Sequence, residues 1–280
     1  MKIKDFLQRH SLLTYFILAY VISWGGIIFV IGPSGFQIFH GVGVLSEGFA
    51  AEKMLGIWLA MLAGPCLGCF LLTGLLGGGK ALKQLMSSMA KLKVSVKWYA
   101  AALFIIPAIL AVILYGLTSV SSNYTPGLMV VFGILVGFIG GSVEELGWTG
   151  FALPRLQLKY SPLVAGIILG VIHTFWHFLS DYWGGIGFYK GYFFFHFFLW
   201  IVALTAYRLL SVWIYNHTKS LFLAQLTHAS FTGGQLVFGP PRASASEAVI
   251  WYALFAAVLL TVIGIIILKD KKSFMQKVVA

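Results

Sequence analysis

Long apolar runs separated by short polar segments dominate the chain, and this pattern predicts membrane-spanning helices. A hydrocarbon core about 30 Å thick needs roughly 20 apolar residues per helix. Eight such runs occur within the 280 residues, and none alternates with the period of two expected of a membrane strand. They are Leu12 to Ile31, Met54 to Leu76, Trp98 to Val120, Gly127 to Phe151, Pro162 to Trp183, Phe188 to Tyr215, Ser220 to Phe238 and Ala248 to Leu268. The pattern predicts an all-α polytopic membrane protein, a bundle of about eight transmembrane helices forming one domain over residues 1-280.

The longest polar segment, residues 77-97, has apolar residues spaced among its lysines. This spacing is typical of an amphipathic helix that lies on a membrane surface. The apolar positions are Leu82, Leu85, Met86, Met89 and Leu92. We expect this segment to be a cytosolic amphipathic loop on the inner leaflet.

The basic residues are distributed unevenly between alternate loops, which predicts the orientation of the bundle. Cytoplasmic loops of membrane proteins carry an excess of Lys and Arg. Three basic residues, Lys53, Lys190 and Arg242, fall on one side. The other side has sixteen: Lys2, Lys4, Arg9, Lys80, Lys83, Lys91, Lys93, Lys97, Arg155, Lys159, Arg208, Lys219, Lys269, Lys271, Lys272 and Lys277. We therefore expect both termini in the cytoplasm of a multi-pass plasma-membrane protein.

The composition changes the interpretation of the net charge of +11. Only 10% of the residues are charged, against about 25% in a soluble domain, so most of the outer surface must face lipid. Because the basic residues lie between apolar runs, their excess is explained by topology. The expected partner is the lipid bilayer, and no nucleic acid is expected; the oligomeric state is left open.

Two adjacent acids lie inside the fourth apolar run, in FGILVGFIGGSVEELGWTGFALPRL. A charged side chain at bilayer depth costs roughly 2.5 to 3.5 kcal/mol, so Glu144 and Glu145 must face the bundle interior or a water-filled cavity. Neighbours on a helix point about 100° apart. We therefore expect one of them to face a reaction centre and the other to bond to a second helix. A purely structural pair that ties helices together is the alternative.

Histidines provide the second unusual feature of the spans. His173 and His177 are four residues apart and share one helix face, and His228 is followed four residues later by Thr232. His196, within FFFHFF, is interpreted as a packing residue. A carboxylate with several imidazoles in an apolar cavity can activate water for hydrolysis. The same groups, Glu144, His173, His177 and His228, could bind Zn²⁺, or could form the proton relay of a proton-coupled transporter.

Three short motifs resemble those of the CAAX protease and bacteriocin-processing (CPBP, or Abi) family of intramembrane endopeptidases. EELGWTG corresponds to the first family motif, in which two glutamates are followed by an arginine and a glycine; Glu144, Glu145 and Gly150 match. His177 matches the second motif, with His173 at its aromatic position. His228 and Thr232 match the third. The resemblance covers about Phe132 to Gln235, within a core of residues 127-238.

The resemblance implies a polar intramembrane cavity open to the cytosol and an endopeptidase that uses Glu/His-activated water. By position, Glu144 would be the general base, His177 its partner and Glu145 an orienting carboxylate. His228 and Thr232 would stabilise the oxyanion. The expected substrate is a small hydrophobic or membrane-tethered peptide or protein. No cofactor is required by this scheme, although the additional His173 favours a Zn²⁺ site. A catalytically silent scaffold or bacteriocin-immunity protein is the alternative.

The chain departs from the family pattern at Thr149, where the family has arginine. Glu145 therefore lacks a cation within its own motif, and Arg155 is ten residues away, about 15 Å along a straight helix. We expect Glu145 to be protonated near neutral pH, or to be held by hydroxyl and indole donors such as Thr149 and Trp148. Replacing Thr149 by arginine is then expected to restore an ion pair.

Overall fold

A computed structural model describes residues 3–37, 50–127 and 129–277. These ranges contain helices and short connections and no strand, which confirms the predicted all-α class. A π-helical turn, Trp148–Ala152, joins α5 to α6, and a 3-10 turn, Lys190–Tyr192, joins α7 to α8. The α-helices are α1 (Ile3–Arg9), α2 (Ser11–Gln37), α3 (Ala50–Met89), α4 (Val96–Leu117), α5 (Val130–Gly147), α6 (Leu153–Gln157), α7 (Pro162–Tyr189), α8 (Phe193–Thr218), α9 (Leu221–Phe238), α10 (Ala245–Lys269) and α11 (Lys271–Met275).

The exterior of the bundle is apolar and its interior contains charge, the reverse of a soluble protein. Phe29, Val112 and Val131 are each more than 70% exposed, whereas Glu145 and Arg208 are both 0% exposed. Exposed side chains of this kind are stable only against lipid, because water would make their exposure costly. The chain is a polytopic membrane protein.

Six helical segments among the described residues are long and apolar enough to cross a membrane. They are Ser11–Gly32, Lys53–Met89, Val96–Leu117, Val130–Gln157, Pro162–Thr218 and Ala245–Lys269. The segment Pro162–Thr218 contains two helices, α7 and α8, and the seventh predicted run coincides with the 18-residue helix α9. Each predicted apolar run thus falls on a separate helix, while the count of eight membrane crossings stays a prediction.

Helix α5 packs against α9 through a row of glycines on one face. Gly133, Gly137 and Gly141 recur every four residues, and a Cβ added to Gly137 would lie 2.4 Å from the carbonyl oxygen of Ala229. From the other side, a Cβ on Gly233 would lie 2.6 Å from the carbonyl oxygen of Gly133. Small residues at this spacing let two membrane helices approach until their backbones touch. The two helices are antiparallel, since contacts move down one as they move up the other.

Other pairs of contacts define the directions of further helices. The pair α2 and α3 is antiparallel, as is the pair α7 and α8, whereas α2 and α7 are parallel. The contacts are Gly56 with Val30 and Gly64 with Ala19 for α2 and α3, Gly166 with Leu209 and Gly170 with Thr205 for α7 and α8, and Tyr20 with Ile172 and Trp24 with Trp176 for α2 and α7. These directions agree with a chain that reverses at each turn between long helices.

Helix α3 changes direction at Gly78, whose φ of 64° lies in the left-handed region that glycine adopts without strain. Beyond it, residues 79–89 form an arm whose Leu85 side chain is buried. A Cβ added to Gly150 would lie 2.8 Å from a methyl carbon of Leu85, so the arm packs closely against the π-helical turn. The amphipathic segment predicted at 77-97 is thus helical as far as Met89 and then non-helical until α4 begins at Val96. The arm covers the π-helical turn from the lysine-rich end of the bundle.

Two apolar clusters fill the interior of the bundle. One is built from α4, α8, α9 and α10, and the other from α2, α3, the π-helical turn and α7. Glu145 and Arg208 lie where these clusters meet, and both are fully buried. Helices α5, α7, α8 and α9 therefore all contribute side chains to a single polar region between the two clusters.

The glycine row predicts opposite effects at two nearby positions of α5. Gly137→Ala would drive a methyl group into the α9 backbone, and overpacking of this kind typically costs about 1 to 3 kcal/mol. Gly140 has no atom within 4 Å of an added Cβ, so Gly140→Ala is expected to be neutral or to stabilise by up to about 1 kcal/mol through helix propensity. The measurement is thermal unfolding of the two purified variants and wild type in the same detergent. Equal midpoints for both variants would contradict this packing.

Candidate active site

Helix α5 presents its two glutamates just before its regular hydrogen bonding ends. Glu144 is 5% exposed and Glu145 is 0% exposed. The π-helical turn that follows is typical of functional sites, where one extra residue is accommodated in a helix. Pro154 has no N–H to offer the carbonyl four residues before it, which helps to explain why regular α-helix is interrupted here. Thr149, at the start of the π-helical turn, lies four residues after Glu145 and therefore on the same helix face.

Glu145 is held by four donors from three other segments of the chain. The Arg208 Nη1 donates to Oε2 at 2.8 Å, and the Tyr207 hydroxyl donates to Oε1 at 2.9 Å. The Thr149 hydroxyl also donates to Oε2, and His228 Nδ1 lies 2.8 Å from Oε1. A guanidinium and three further donors match a carboxylate that carries its negative charge.

Arg208 therefore occupies the role of the arginine missing from the first motif. Glu145 lacks a cation within its own motif, as expected, but its partner is Arg208 of α8, which the prediction of protonation or of hydroxyl and indole donors did not include. The contribution expected from the Thr149 hydroxyl is confirmed, and this hydroxyl also accepts a 3.3 Å hydrogen bond from Arg208 Nη1. Trp148 packs on the His173 ring, with centroids 4.7 Å apart, and is not among the donors to Glu145. Arg155 donates to the carbonyl of Phe151.

Arg208 also fixes the tautomer of His173. Its Nη2 lies 2.8 Å from His173 Nδ1, and since a guanidinium can only donate, Nδ1 must be the acceptor. In the neutral ring the proton is then on Nε2, which lies 3.1 Å from Glu144 Oε2 and donates to it. One arginine thus positions both the second glutamate and the imidazole that contacts the first.

The predicted site residues meet in one place, although the closest partner of Glu144 is not the histidine that was expected. His173, rather than His177, makes the hydrogen bond to Glu144. His177 lies one turn further along α7, with a ring nitrogen within 4.8 Å of the ligand atoms of both Glu144 and His173. His228 Nε2 is 3.9 Å from Glu144 Oε2. Thr232 lines the same cavity.

The donor set can be compared with what a zinc ion requires. Catalytic zinc takes three protein ligands whose lone pairs point at the metal. Among the described residues, Glu144, His173 and His177 are the group of acids and imidazoles close enough to share an ion. Because His173 Nδ1 accepts from Arg208, its Nε2 carries a hydrogen and has no lone pair to offer. His173 therefore does not fit as a zinc ligand in this arrangement, while binding of zinc by Glu144, His177 and His228 stays a prediction.

A cavity of about 490 Å³ borders Glu144, His173, His177 and His228. It extends from them toward the ends of the helices opposite the lysine-rich arm, reaching Gly184 near the end of α7 and other residues at the same level. On the arm side, Tyr15, Trp148 and Phe151 are at most 1% exposed and close the site. The expectation that this cavity opens to the cytosol stays a prediction.

Tyr207 and Arg208 are the functional residues that the sequence interpretation missed. Arg208 was counted as a loop residue near the end of its span. It lies ten residues before the last residue of α8, Thr218, which corresponds to about 15 Å of helix and places it well inside the bundle. A cation at that depth requires an anionic partner, and Glu145 was the acid without one. The pairing of Arg208 with Glu145 could therefore have been predicted from the sequence.

The comparisons with known proteins agree with the motifs. Residues 125–233 match the family model described as type II CAAX prenyl endopeptidase, Rce1-like. CAAX prenyl protease 2 of Methanococcus maripaludis is 24% identical over 174 residues, which cover 57% of this chain and 55% of that protein. The match thus spans about half the length of the curated relative. The recognised resemblance to the CAAX protease family is confirmed, and the matched region coincides with the helices that carry the site.

The position of Arg208 reverses the effect expected of Thr149→Arg. Alone, this change forces a second guanidinium into a site that is already fully packed and neutralised. Arg208→Met alone leaves the Glu145 charge buried without a partner, which costs about 3 to 5 kcal/mol. In the double variant the new arginine can pair with Glu145 from its own helix, so we expect the double variant to be more stable than either single variant. Thermal unfolding of all four proteins gives the coupling energy; simple additivity of the two losses would show that the arginines are not interchangeable.

Proposed function

We propose that this chain is an intramembrane endopeptidase of the CAAX-protease type, which cleaves a peptide bond with water activated by Glu144. The observation that carries the proposal is the convergence of Glu144, His173, His177 and His228 on one cavity inside the bundle. The family match over the same helices supports it. The substrate class we propose is a small hydrophobic or membrane-tethered peptide or protein.

Glu144 is the group best suited to be the general base. One of its oxygens, Oε2, accepts from His173 Nε2–H, which leaves Oε1 available for a water molecule. The separation of up to 4.8 Å between the ligand atoms of Glu144 and His177 suits a single water bonded to both. Glu144 would take a proton from this water while the water oxygen attacks the substrate carbonyl carbon. It would later give that proton to the departing amine.

His228 and Thr232 are proposed to stabilise the oxyanion. His228 Nδ1–H donates to Glu145 Oε1, and Nε2, on the other side of the ring, faces Glu144 and the cavity. The ionised Glu145 then stabilises the ring whenever Nε2 is protonated, as the carboxylate of a catalytic triad does for its histidine. A protonated His228 and the Thr232 hydroxyl could both donate to the charge that develops on the carbonyl oxygen. This scheme requires no metal ion.

A catalytically silent scaffold or immunity protein is the second candidate function. Its supporting observation is that Glu145, Arg208, Tyr207 and Thr149 form a closed network that would hold the helices together without any reaction. Glu144 is different, because its carboxylate borders the cavity and is not paired with a guanidinium. A structural carboxylate would be expected to be paired in this way, so we favour the enzyme.

For the membrane orientation, we propose eight spans in the plasma membrane with both termini in the cytoplasm. Without Arg208, which lies inside the bundle, fifteen basic residues fall on one side and three on the other, and this distribution and the alternating helix directions support the topology.

The enzyme is tested by Glu144→Gln, which keeps the shape of the side chain and removes the base. We expect cleavage of a membrane-tethered peptide to fall by at least about 100-fold, within the range for loss of a general base, with little change in thermal stability. Glu247→Gln is the matched control, since Glu247 is at the other end of the molecule from the base and caps α10, a role that glutamine can also fill. Thr232→Ala should cost less, about 10-fold. Full activity in Glu144→Gln would exclude this residue as the base, and inactivity of wild type across a broad peptide panel would favour the scaffold.

The topology is tested with single cysteines at exposed positions, after replacement of Cys66 and Cys69. Ser87→Cys in the arm and Gln276→Cys after α11 should react with an impermeant thiol reagent only from the cytosolic face of the membrane. Ser122→Cys, between α4 and α5, should react only from the opposite face. Labelling of Ser87→Cys and Ser122→Cys from the same face would contradict the alternation.

A further inference from the structure

Two aromatic side chains of α2 are hydrogen-bonded to the backbone of α7 beside the histidines of the site. The Tyr20 hydroxyl donates to the carbonyl oxygen of Ile172 at 2.6 Å. The Trp24 indole N–H donates to the carbonyl oxygen of Trp176 at 2.8 Å. Each of these carbonyl groups belongs to the residue that immediately precedes one of the two α7 histidines. Helix α2 thus holds α7 at the level of the reaction centre.

The two hydrogen bonds act as a pair because they are one helical turn apart on both helices. The donors are four residues apart on α2 and the acceptors are four residues apart on α7, so each set shares one helix face. The rings of Tyr20 and Trp24 also contact each other, with centroids 5.2 Å apart. A single bond would leave α7 free to rotate or tilt about it. Two bonds in register fix both the depth and the rotation of α7 relative to α2.

The position of α7 relative to Glu144 is not set by direct packing on α5. Among the described residues, α5 and α7 make few close contacts, and the 3.1 Å hydrogen bond between Glu144 and His173 spans the gap between the two helices. The glycine contacts of α7 with α8, at Gly166 and Gly170, come one to two turns before His173. The hydrogen bonds from α2, in contrast, are made next to the histidines.

Helix α2 is connected back to α5 through α3, so the four helices form a closed ring. A Cβ added to Gly64 of α3 would overlap the carbonyl oxygen of Ala19 in α2. A Cβ added to Gly147 of α5 would lie 2.6 Å from the carbonyl oxygen of Pro65 in α3. Backbones in such close contact have little freedom to slide past one another. The hydrogen bond between carboxylate and imidazole closes the ring, and its length therefore depends on the other contacts around it.

Neither Tyr20 nor Trp24 belongs to the matched region or to the cavity wall. Helix α2 lies outside residues 125–233, which match the family model, and neither aromatic residue is among the described residues that border the cavity. These side chains can affect the reaction only through α7. The effect of such a contact can be large, because a displacement of about 1 Å at a catalytic group can lower a rate by about 100-fold.

We infer that Tyr20 and Trp24 are positioning residues of the active site, which set the depth and rotation of α7 so that His173 and His177 face Glu144. The inference rests on the proposed function for the reaction that this alignment serves. The state of the His173 ring can be measured without any cleavage.

The first test is cleavage of a membrane-tethered peptide by Tyr20→Phe, Trp24→Phe and the double variant. Phenylalanine keeps an aromatic ring at each position and removes the donor. We expect kcat to fall by about 5-fold in each single variant, in which one bond remains, and by about 50-fold in the double variant. KM should stay within about twofold, because neither residue borders the cavity.

Tyr99→Phe and Trp213→Phe are the matched controls at the lysine-rich end. Tyr99 donates to the carbonyl of Leu92 at 2.6 Å, and Trp213 donates to Asp270 at 2.8 Å, so each control loses a bond of the same type and length. We expect the controls to show the thermal midpoints of the corresponding α2 variants and the kcat of wild type within about twofold. Equal kcat in Tyr20→Phe and Tyr99→Phe would overturn the inference, and this comparison decides the matter if the double variant does not fold.

Nitrogen-15 NMR of histidine-labelled protein in detergent gives the second test, which needs no substrate. In wild type, His173 should show a single neutral tautomer with its hydrogen on Nε2, because Nδ1 accepts from Arg208. The signal is assigned with His173→Gln. Loss of both α2 bonds should shift or broaden the signal toward the average of the two tautomers, whereas the double control variant should keep the wild-type signal.

The two tests separate failure of the positioning role from failure of the enzyme. If wild type cleaves and the α2 variants cleave as fast as their controls, the positioning role is wrong and the enzyme stands. If no peptide is cleaved by wild type, the proposed function fails and the NMR signal decides the positioning role. A change confined to the α2 variants would support the alignment of His173 by α2, and an unchanged signal would overturn it.

Discussion

The ion pair between Glu145 and Arg208 is the interaction on which the rest of the site depends. Both side chains are fully buried, and two charges in a low-dielectric interior are tolerated only when they are paired and hydrogen-bonded. The requirement is met by contributions from four segments: the carboxylate from α5, the guanidinium and a tyrosine hydroxyl from α8, an imidazole from α9 and a threonine hydroxyl from the π-helical turn. No one of these helices can shift without leaving a charge or a donor unsatisfied. The polar region around Glu145 and Arg208 therefore specifies how the helices are assembled. Their lipid-facing surfaces are uniformly apolar and cannot do this.

The same pair also fixes the orientation of the side chains that border the cavity. The donors of Arg208 all lie in the plane of its guanidinium group, and it uses Nη1 for Glu145 and Nη2 for His173. The planar fork makes these two hydrogen bonds mutually dependent in geometry, a property that lysine would not reproduce. His173, held by Arg208, in turn positions Glu144. Glu145, held by the same arginine, positions His228. The Glu144 carboxylate thus has its surroundings fixed from two sides.

The sequence predicted the helical class and the members of the site better than it predicted their pairing. Apolar run length located every long helix, because a membrane requires a minimum length and excludes charge. Motif spacing located Glu144, His177 and His228, because residues four apart share a helix face. Pairing between helices has no such local signal: His173 and His177 share the face of α7, and only the depth at which α5 crosses α7 decides which ring contacts Glu144. The tyrosine and arginine of α8 were missed for a similar reason, since the motif pattern directs attention to a cation four residues from Glu145 and the actual cation is 63 residues away.

That separation has a consequence for how the protein is made. The chain is synthesised from its N-terminus, so α5 and its two glutamates are complete before α7 begins, and Arg208 emerges 63 residues after Glu145. Until then Glu145 has no cationic partner, and its transfer into lipid as an anion would cost several kcal/mol. Helix α5 is therefore expected to remain in a polar environment, at the insertion machinery or with its acids protonated, until the hairpin of α7 and α8 arrives. We expect α5 to be released into the bilayer together with α7 and α8, and a chain that ends between residues 160 and 207 to hold α5 poorly in the membrane.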